Sequence, residues 1–141
     1  MKRFTVLAVA MLSIFVAAAW ANDGTIRNGS NVIIGKIQSD GTVRSASNTT
    51  LGKIQSDGTI RNASNATIGK IQNDGTIRNA SNATIGKVRS DGAVLGASNE
   101  TLGKIQNDGT VRNANNVDIG NAKDVKKEWT AAFFFFDFFG R

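Results

Sequence analysis

The chain has 141 residues, a formal net charge of +6 and no cysteine, histidine or tyrosine. That length suits one modest domain rather than two. The missing residue types exclude Ser-His and Cys-His nucleophilic pairs, disulfide frameworks and the usual nitrogen and sulfur ligands of zinc or iron, so no cofactor and no enzymatic role are expected.

Residues 1–21 read as a signal peptide: Lys2 and Arg3, an apolar run over 6–19, and the small-x-small ending Ala19-Trp20-Ala21. Cleavage there starts the mature chain at Asn22 and, by removing Lys2 and Arg3, lowers the net charge from +6 to +4. Export to the periplasm, outer membrane or medium is the expectation. A basic chain suits nucleic acid or an anionic surface; for an exported one, no nucleic acid is expected.

From Asp23 to Gly120 the sequence matches itself at an offset of seventeen, and self-similarity of this kind defines the architecture before any local motif does. The unit is Ile-Gly-Lys-Ile-Gln-Ser/Asn-Asp-Gly-Thr-Ile/Val-Arg-Asn-Ala-Ser-Asn-Ala-Thr. Asp-Gly recurs from Asp23-Gly24 to Asp108-Gly109, and a second glycine column runs Gly35, Gly52, Gly69, Gly86, Gly103 and Gly120. Two short strands per unit follow, at 34–38 and 42–46 in the first, rich in β-branched residues and bounded by turn formers. The repeat domain spans 22–122.

A three-residue loop at Ser39-Asp40-Gly41, with Gly41 left-handed, sets Ile37 opposite Val43 and Gly35 opposite Ser45. A two-residue Asp-Gly loop would instead set Ile37 against Arg44. The second turn is expected as a four-residue loop over 47–50, which brings Val43 opposite Ile54. Side chains alternate between faces, so Ile37, Val43, Ile54, Ile60, Ile71, Ile77, Val88, Val94, Ile105 and Val111 form the predicted core face with the glycine column. The other face carries Lys36, Arg44, Lys53, Arg61, Lys70, Arg78, Lys87, Lys104 and Arg112, with Ile34, Leu51, Ile68, Ile85 and Leu102 at its far edge. Its Lys and Arg columns meet across strands, an unfavourable pairing unless something offsets it.

One unit buries about four apolar side chains against seventeen ordered residues, too few to stand alone. The predicted fold is therefore all-β, repeated hairpins closed into a ring that removes exposed strand edges; an open β-solenoid is the alternative. The fifth unit departs from the pattern at Arg89, Ala93, Leu95 and Gly96, and its lost charge and bulk suggest a seat for the tail.

Residues 123–141 break the period and hold six of the eight phenylalanines. The run is about half of the twenty residues a spanning helix needs, with Asp137 inside it. Trp129, Phe133, Phe134, Phe135, Phe136, Phe138 and Phe139 are expected either to plug the array as core or to anchor the protein at a membrane.

The Gly-Lys-Ile-Gln-Ser-Asp-Gly-Thr-Ile-Arg-Asn repeats, the short leader and the terminal Lys-Glu-Trp-Thr-Ala-Ala-Phe-Phe-Phe-Phe together resemble the bacterial five-fold β-flower proteins. The resemblance implies small exported proteins, found largely in Bacteroidetes, with hairpins around a pseudo-five-fold axis; the aromatic tail is expected to pack on them. Five complete hairpins, starting at Gly35, Gly52, Gly69, Gly86 and Gly103, agree with that count if 25–28 and 119–122 are flanking strands. It implies no established activity or site residues.

Three functional readings follow. The first is a structural or binding module of the cell envelope or exterior, with Lys53, Arg61, Lys70 and Arg78 as candidate contacts to a polyanionic glycan or a membrane surface. The second is a membrane-associated or secretion-cargo protein in which the array is a spacer for the Phe-rich tail. The third, a hydrolase, has only the non-repeating acids Glu100, Asp118, Asp124 and Glu128 to draw on. One Asp per unit is a poor calcium set, and the Asn-x-Ser/Thr triplets read as turn residues.

Overall fold

A computed structural model describes residues 24–140, so the leader expected at 1–21 lies outside the described residues. Among the described residues, twelve short antiparallel strands follow one another: β1 (Thr25–Asn28), β2 (Ile33–Ile37), β3 (Thr42–Ser45), β4 (Thr50–Ile54), β5 (Thr59–Asn62), β6 (Thr67–Ile71), β7 (Thr76–Asn79), β8 (Thr84–Val88), β9 (Ala93–Gly96), β10 (Thr101–Ile105), β11 (Thr110–Asn113) and β12 (Asp118–Asn121). Each pairs with its sequence neighbours, and β12 returns to β1, so the sheet is a closed barrel and not an open solenoid. The five expected hairpins are present. The two flanking strands pair with each other through Arg27 opposite Asn121 and Asn28 opposite Gly120, which makes a sixth unit out of the chain's two ends.

The Asp-Gly turn has the expected geometry. Gln38 N–H donates to Thr42 O at 2.8 Å and Gly41 N–H to Gln38 O at 2.9 Å, with Gly41 at φ 92°, where a side chain would be strained. Asp40 accepts the Thr42 N–H at 2.9 Å and rigidifies the loop. Gly35 therefore faces Ser45, Lys36 faces Arg44 and Ile37 faces Val43.

The second turn differs from the four-residue loop expected over 47–50. Ser45 N–H donates to Thr49 O and Asn48 N–H to Ser45 O, closing a three-residue loop with Asn48 at φ 68°. Val43 consequently pairs with Gly52 and Arg44 with Thr50, and Leu51 becomes the extra residue of a bulge. The cause is the polar residue before the loop: Asn62 Oδ1, for example, accepts N–H bonds from both Ser64 (2.9 Å) and Ala66 (3.0 Å), an alternative to continuing the ladder. Because the pairing slides by two residues relative to expectation, faces are preserved. Every predicted core residue is buried, the most exposed being Ile71 at 8 %, and Ile26 joins them. The bulge residues Ile34, Leu51, Ile68, Ile85 and Leu102 are half-buried and packed against this core instead of lining a solvated edge.

Twelve strands enclose more space than their own side chains fill, since about eight strands is the size at which side chains alone close the interior. The tail supplies the rest. Helix α1 (Lys127–Phe134) buries Thr130, Ala131, Ala132 and Phe133, and the chain then circles the lumen. Phe133 lies over Gly35, Phe134 over Gly120, Phe135 over Gly103, Phe136 over Gly86, Phe138 over Gly69 and Phe139 over Gly52: six rings on six glycines, in order round the barrel. A Cβ on any of these glycines would stand 2.5–2.9 Å from its ring. Asp137 adopts φ 56° and stays exposed, so the chain steps past it between two half-buried rings.

The tail meets the fifth unit at Gly86, as it meets the others at their glycines, and not at the residues that depart from the pattern. Leu95 lies on the strand face shared with Lys87, opposite which it pairs, and the space beside Gly96 is filled by the Glu100 carboxylate. Glu100 Oε1 accepts the Ser98 N–H at 3.0 Å, replacing the Asn side chain that caps this turn in neighbouring units.

Phe133, 1 % exposed, is expected to be the costliest of the six rings to remove. Phe133→Ala should lower the unfolding free energy by about 3–5 kcal/mol in denaturant titration, and Phe135→Ala, whose ring is half-exposed, by clearly less. Equal losses at both positions would contradict the packing described.

Candidate functional site

The wall of the barrel carries the candidate contact residues. Lys53 on β4 pairs directly with Arg61 on β5, and Lys70 on β6 with Arg78 on β7. Lys36 with Arg44 and Lys104 with Arg112 extend the ladder, which is interrupted where Leu95 faces Lys87. The four candidates thus occupy two adjacent hairpins, the lysines exposed and the arginines half-buried.

The like-charge contact anticipated from the sequence is relieved by where the guanidinium groups go. Arg61 Nη1 donates to Asn65 O at 3.1 Å and its Nε to Gln55 Oε1 at 3.1 Å; Arg78 Nη1 donates to Asn82 O at 3.0 Å. Each arginine is drawn towards the carbonyl of its own Asn turn, whose left-handed residue turns that oxygen outward. Charge-assisted bonds of this kind hold the planar group in place. Ion pairs contribute little: Arg112 reaches Asp118 at 3.1 Å, and Arg89 reaches Asp91 at 3.7 Å in an exposed setting.

At the Asp-Gly end, the carboxyls of Asp40, Asp57, Asp74, Asp91 and Asp108 form a ring. Each is held below its ordinary value of 3.8 chiefly by the N–H of the residue two further on: Thr42, Thr59, Thr76, Ala93 and Thr110 respectively. The threonine hydroxyls add to this at four of the five. The barrel is therefore basic around its wall and rimmed with carboxylates at one end.

The same end carries a crevice of about 270 Å³ between α1 and the turns following β4 and β6, lined by Gln55, Ser56, Gln72, Asn73, Lys126, Glu128 and Trp129. Lys126 Nζ stands 4.9 Å over the Trp129 ring. Sequence reasoning placed Trp129 in the tail but did not bring it to this rim; the signal lay in its position, at the first turn after the repeat ends. The six phenylalanines of the tail are brought together inside the barrel, while Trp129 remains half-buried outside it. The acids Glu100, Asp118, Asp124 and Glu128 are not brought together: Glu100 caps its own turn, Asp118 pairs with Arg112, and Glu128 lines the crevice. No group of acids that could hold a metal ion occurs among the described residues.

These features define a class, a small closed barrel of repeated hairpins stoppered by its own aromatic C-terminal segment. The model of the 5-fold beta-flower protein family matches residues 22–139, and the chain belongs to that family. Neither the curated proteins nor the solved structures searched gave a match.

The carboxylate ring sets a direction of pH dependence. A folded-state pKa lowered from 3.8 contributes stability that is fully present above the unfolded value and is lost as pH falls through the folded one. The thermal midpoint should accordingly fall as the pH is taken below 3.8, and Asp→Asn at 40, 57, 74, 91 and 108, which keeps the accepting oxygen, should flatten that fall. An unchanged acid limb in the five-fold variant, followed by circular dichroism, would remove these turns as its source.

Proposed function

We propose that this β-flower chain is an exported, non-enzymatic binding module of the cell envelope or exterior, and that its basic wall takes a polyanionic glycan. The observation that carries the reading is the ladder of paired Lys and Arg residues held on a rigid barrel, with each guanidinium oriented by its own turn. A regular row of fixed cations matches a polymer that presents anions at a regular spacing, and preorganisation reduces the entropy lost on binding. The non-enzymatic part rests on the chain's lack of histidine, cysteine and tyrosine, and export rests on the leader-like sequence of 1–21.

Anchoring through the Phe-rich tail is the second reading, and the packing weighs against it. Withdrawing the rings would leave six glycines facing an empty lumen. No helix among the described residues is long and apolar enough to cross a membrane. The strands, at four or five residues, are about half the length of membrane-spanning ones, and their outward residues are cationic where a lipid-facing band is apolar.

Binding of the protein to a sulfated glycan and a polyuronate should be salt-sensitive. It should weaken at least tenfold when Lys53, Arg61, Lys70 and Arg78 are all changed to Glu, with the melting transition retained. Unchanged affinity in the folded variant rejects the wall as the contact, and sedimentation with liposomes that survives the charge reversal would favour the tail instead.

A further inference from the structure

We infer that the crevice beside Trp129 binds one uncharged pyranose ring, at a site separate from the basic wall. The first turn of α1 leans over the Asp-Gly end, where Lys127 Nζ donates to Asn107 Oδ1 at 2.7 Å, and leaves the turns of the β4–β5 and β6–β7 hairpins uncovered beside Trp129. All hairpins have nearly the same turn, and Trp129, the one tryptophan among the described residues, also lines a smaller crevice of about 190 Å³ against the β2–β3 turn at Gln38 and Ser39; there the Gln38 oxygen is taken by Arg44, so the larger crevice is the one that offers an open glutamine.

The groups facing the crevice suit a sugar. Gln38 and Gln55 each spend their side-chain oxygen on the arginine of their own hairpin, at 3.2 and 3.1 Å, whereas Gln72 makes no such bond to Arg78. The Gln72 amide, the neighbouring Asn73 amide and the Glu128 carboxylate are thus left to pair with hydroxyls, which both donate and accept. The Trp129 ring supplies an apolar face for the C–H side of a pyranose, and its indole N–H supplies a donor at the ring's edge. Lys126 over that ring is an exposed, flexible side chain that a ligand can move aside.

Size and charge narrow the ligand further. About 270 Å³ lies just under the roughly 300–1,000 Å³ of pockets for drug-sized molecules and matches a single ring. Lys126 and Glu128, one of each sign, both line the crevice, and the two turns that form its floor each carry an aspartate, Asp57 and Asp74, just outside the lining. Negative charge in both turns disfavours an anionic sugar and leaves an uncharged one unaffected.

The test uses tryptophan fluorescence of the full chain carrying Trp20→Phe, which leaves Trp129 as its one indole whether or not the leader is removed. Methyl glycosides of neutral hexoses, of an N-acetylhexosamine and of a uronic acid are titrated in turn. A saturable change is expected with at least one neutral glycoside and none with the uronic acid. Gln72→Ala and Glu128→Gln should each weaken it about fivefold or more, as loss of one hydrogen bond predicts, with the melting temperature unchanged. Charge reversal at Lys53, Arg61, Lys70 and Arg78 should leave it intact, which separates this site from the wall. No response to any glycoside, a response confined to the uronic acid, or binding unchanged in both Gln72→Ala and Glu128→Gln would each overturn the inference.

Discussion

The contact on which the rest of this structure depends is the phenylalanine ring laid on a glycine, made six times. A closed sheet of twelve strands has no edges to protect, yet it encloses a lumen that Ile and Val side chains alone do not fill. Filling it with larger side chains from the strands would require each unit to carry a bulky inward residue. Here the units instead carry nothing at that position, and one short aromatic segment provides the volume. The two halves of the solution depend on each other: without the rings the glycines line a void, and without the glycines the rings have no room. Each Phe can bury about 150–250 Å², so this plug and the Ile and Val layer share the work of offsetting chain entropy that no single hairpin could offset.

A second constraint arises on the outer face, where repetition forces like charges into register. Duplicating a hairpin with one Lys and one Arg on opposing strands places them side by side in every copy. The structure tolerates this because the same repeat also supplies a left-handed Asn whose carbonyl captures the guanidinium. The asparagine serves two purposes: it sets the turn, and it draws half of the cationic ladder away from the other half. Where the Arg is absent, at Leu95, the cap of the turn changes too, with Gly96 in place of the capping Asn and Glu100 closing the loop, while the left-handed Asn99 is kept. Ser45 replaces the same capping Asn beside an Arg44 that still reaches the Asn48 carbonyl, so the cap can change without loss of the arginine.

Much of this was legible in the sequence because it is local and periodic. The offset of seventeen, the Asp-Gly loop and the alternation of faces fixed the strands, the first register and all of the Ile and Val core except Ile26. The second turn was misjudged by two residues, since Asn can close a loop either as its left-handed member or through its side chain, and here Asn65 does the first and Asn62 the second. The glycine column was placed on the correct face, but its cause was not visible: the ring that each glycine accommodates comes from a distant part of the chain. The wall candidates were legible from alternation alone. The Trp129 crevice was not, because it is formed between a repeating element and a non-repeating one, and no period reports such a junction.

The division between inside and outside also limits where recognition can occur. Most inward positions are committed either to the Ile and Val layer or to a glycine beneath a ring, so the lumen that serves larger barrels as a channel or ligand cavity is reduced to an opening of about 200 Å³ beside Phe133, Phe134, Phe135 and Asp137. What remains is the wall and the two ends. The wall repeats, and a repeating surface recognises repeating ligands through many weak, equivalent contacts. The Asp-Gly end is made unique by the helix that crosses it, and a surface that occurs once can recognise one chemical unit. A polymer that carries charge along its length and an uncharged residue at a branch or end would engage both features. The scaffold's asymmetry at this end, introduced by the departure of the tail from the repeat, is what makes such a combination geometrically open to it.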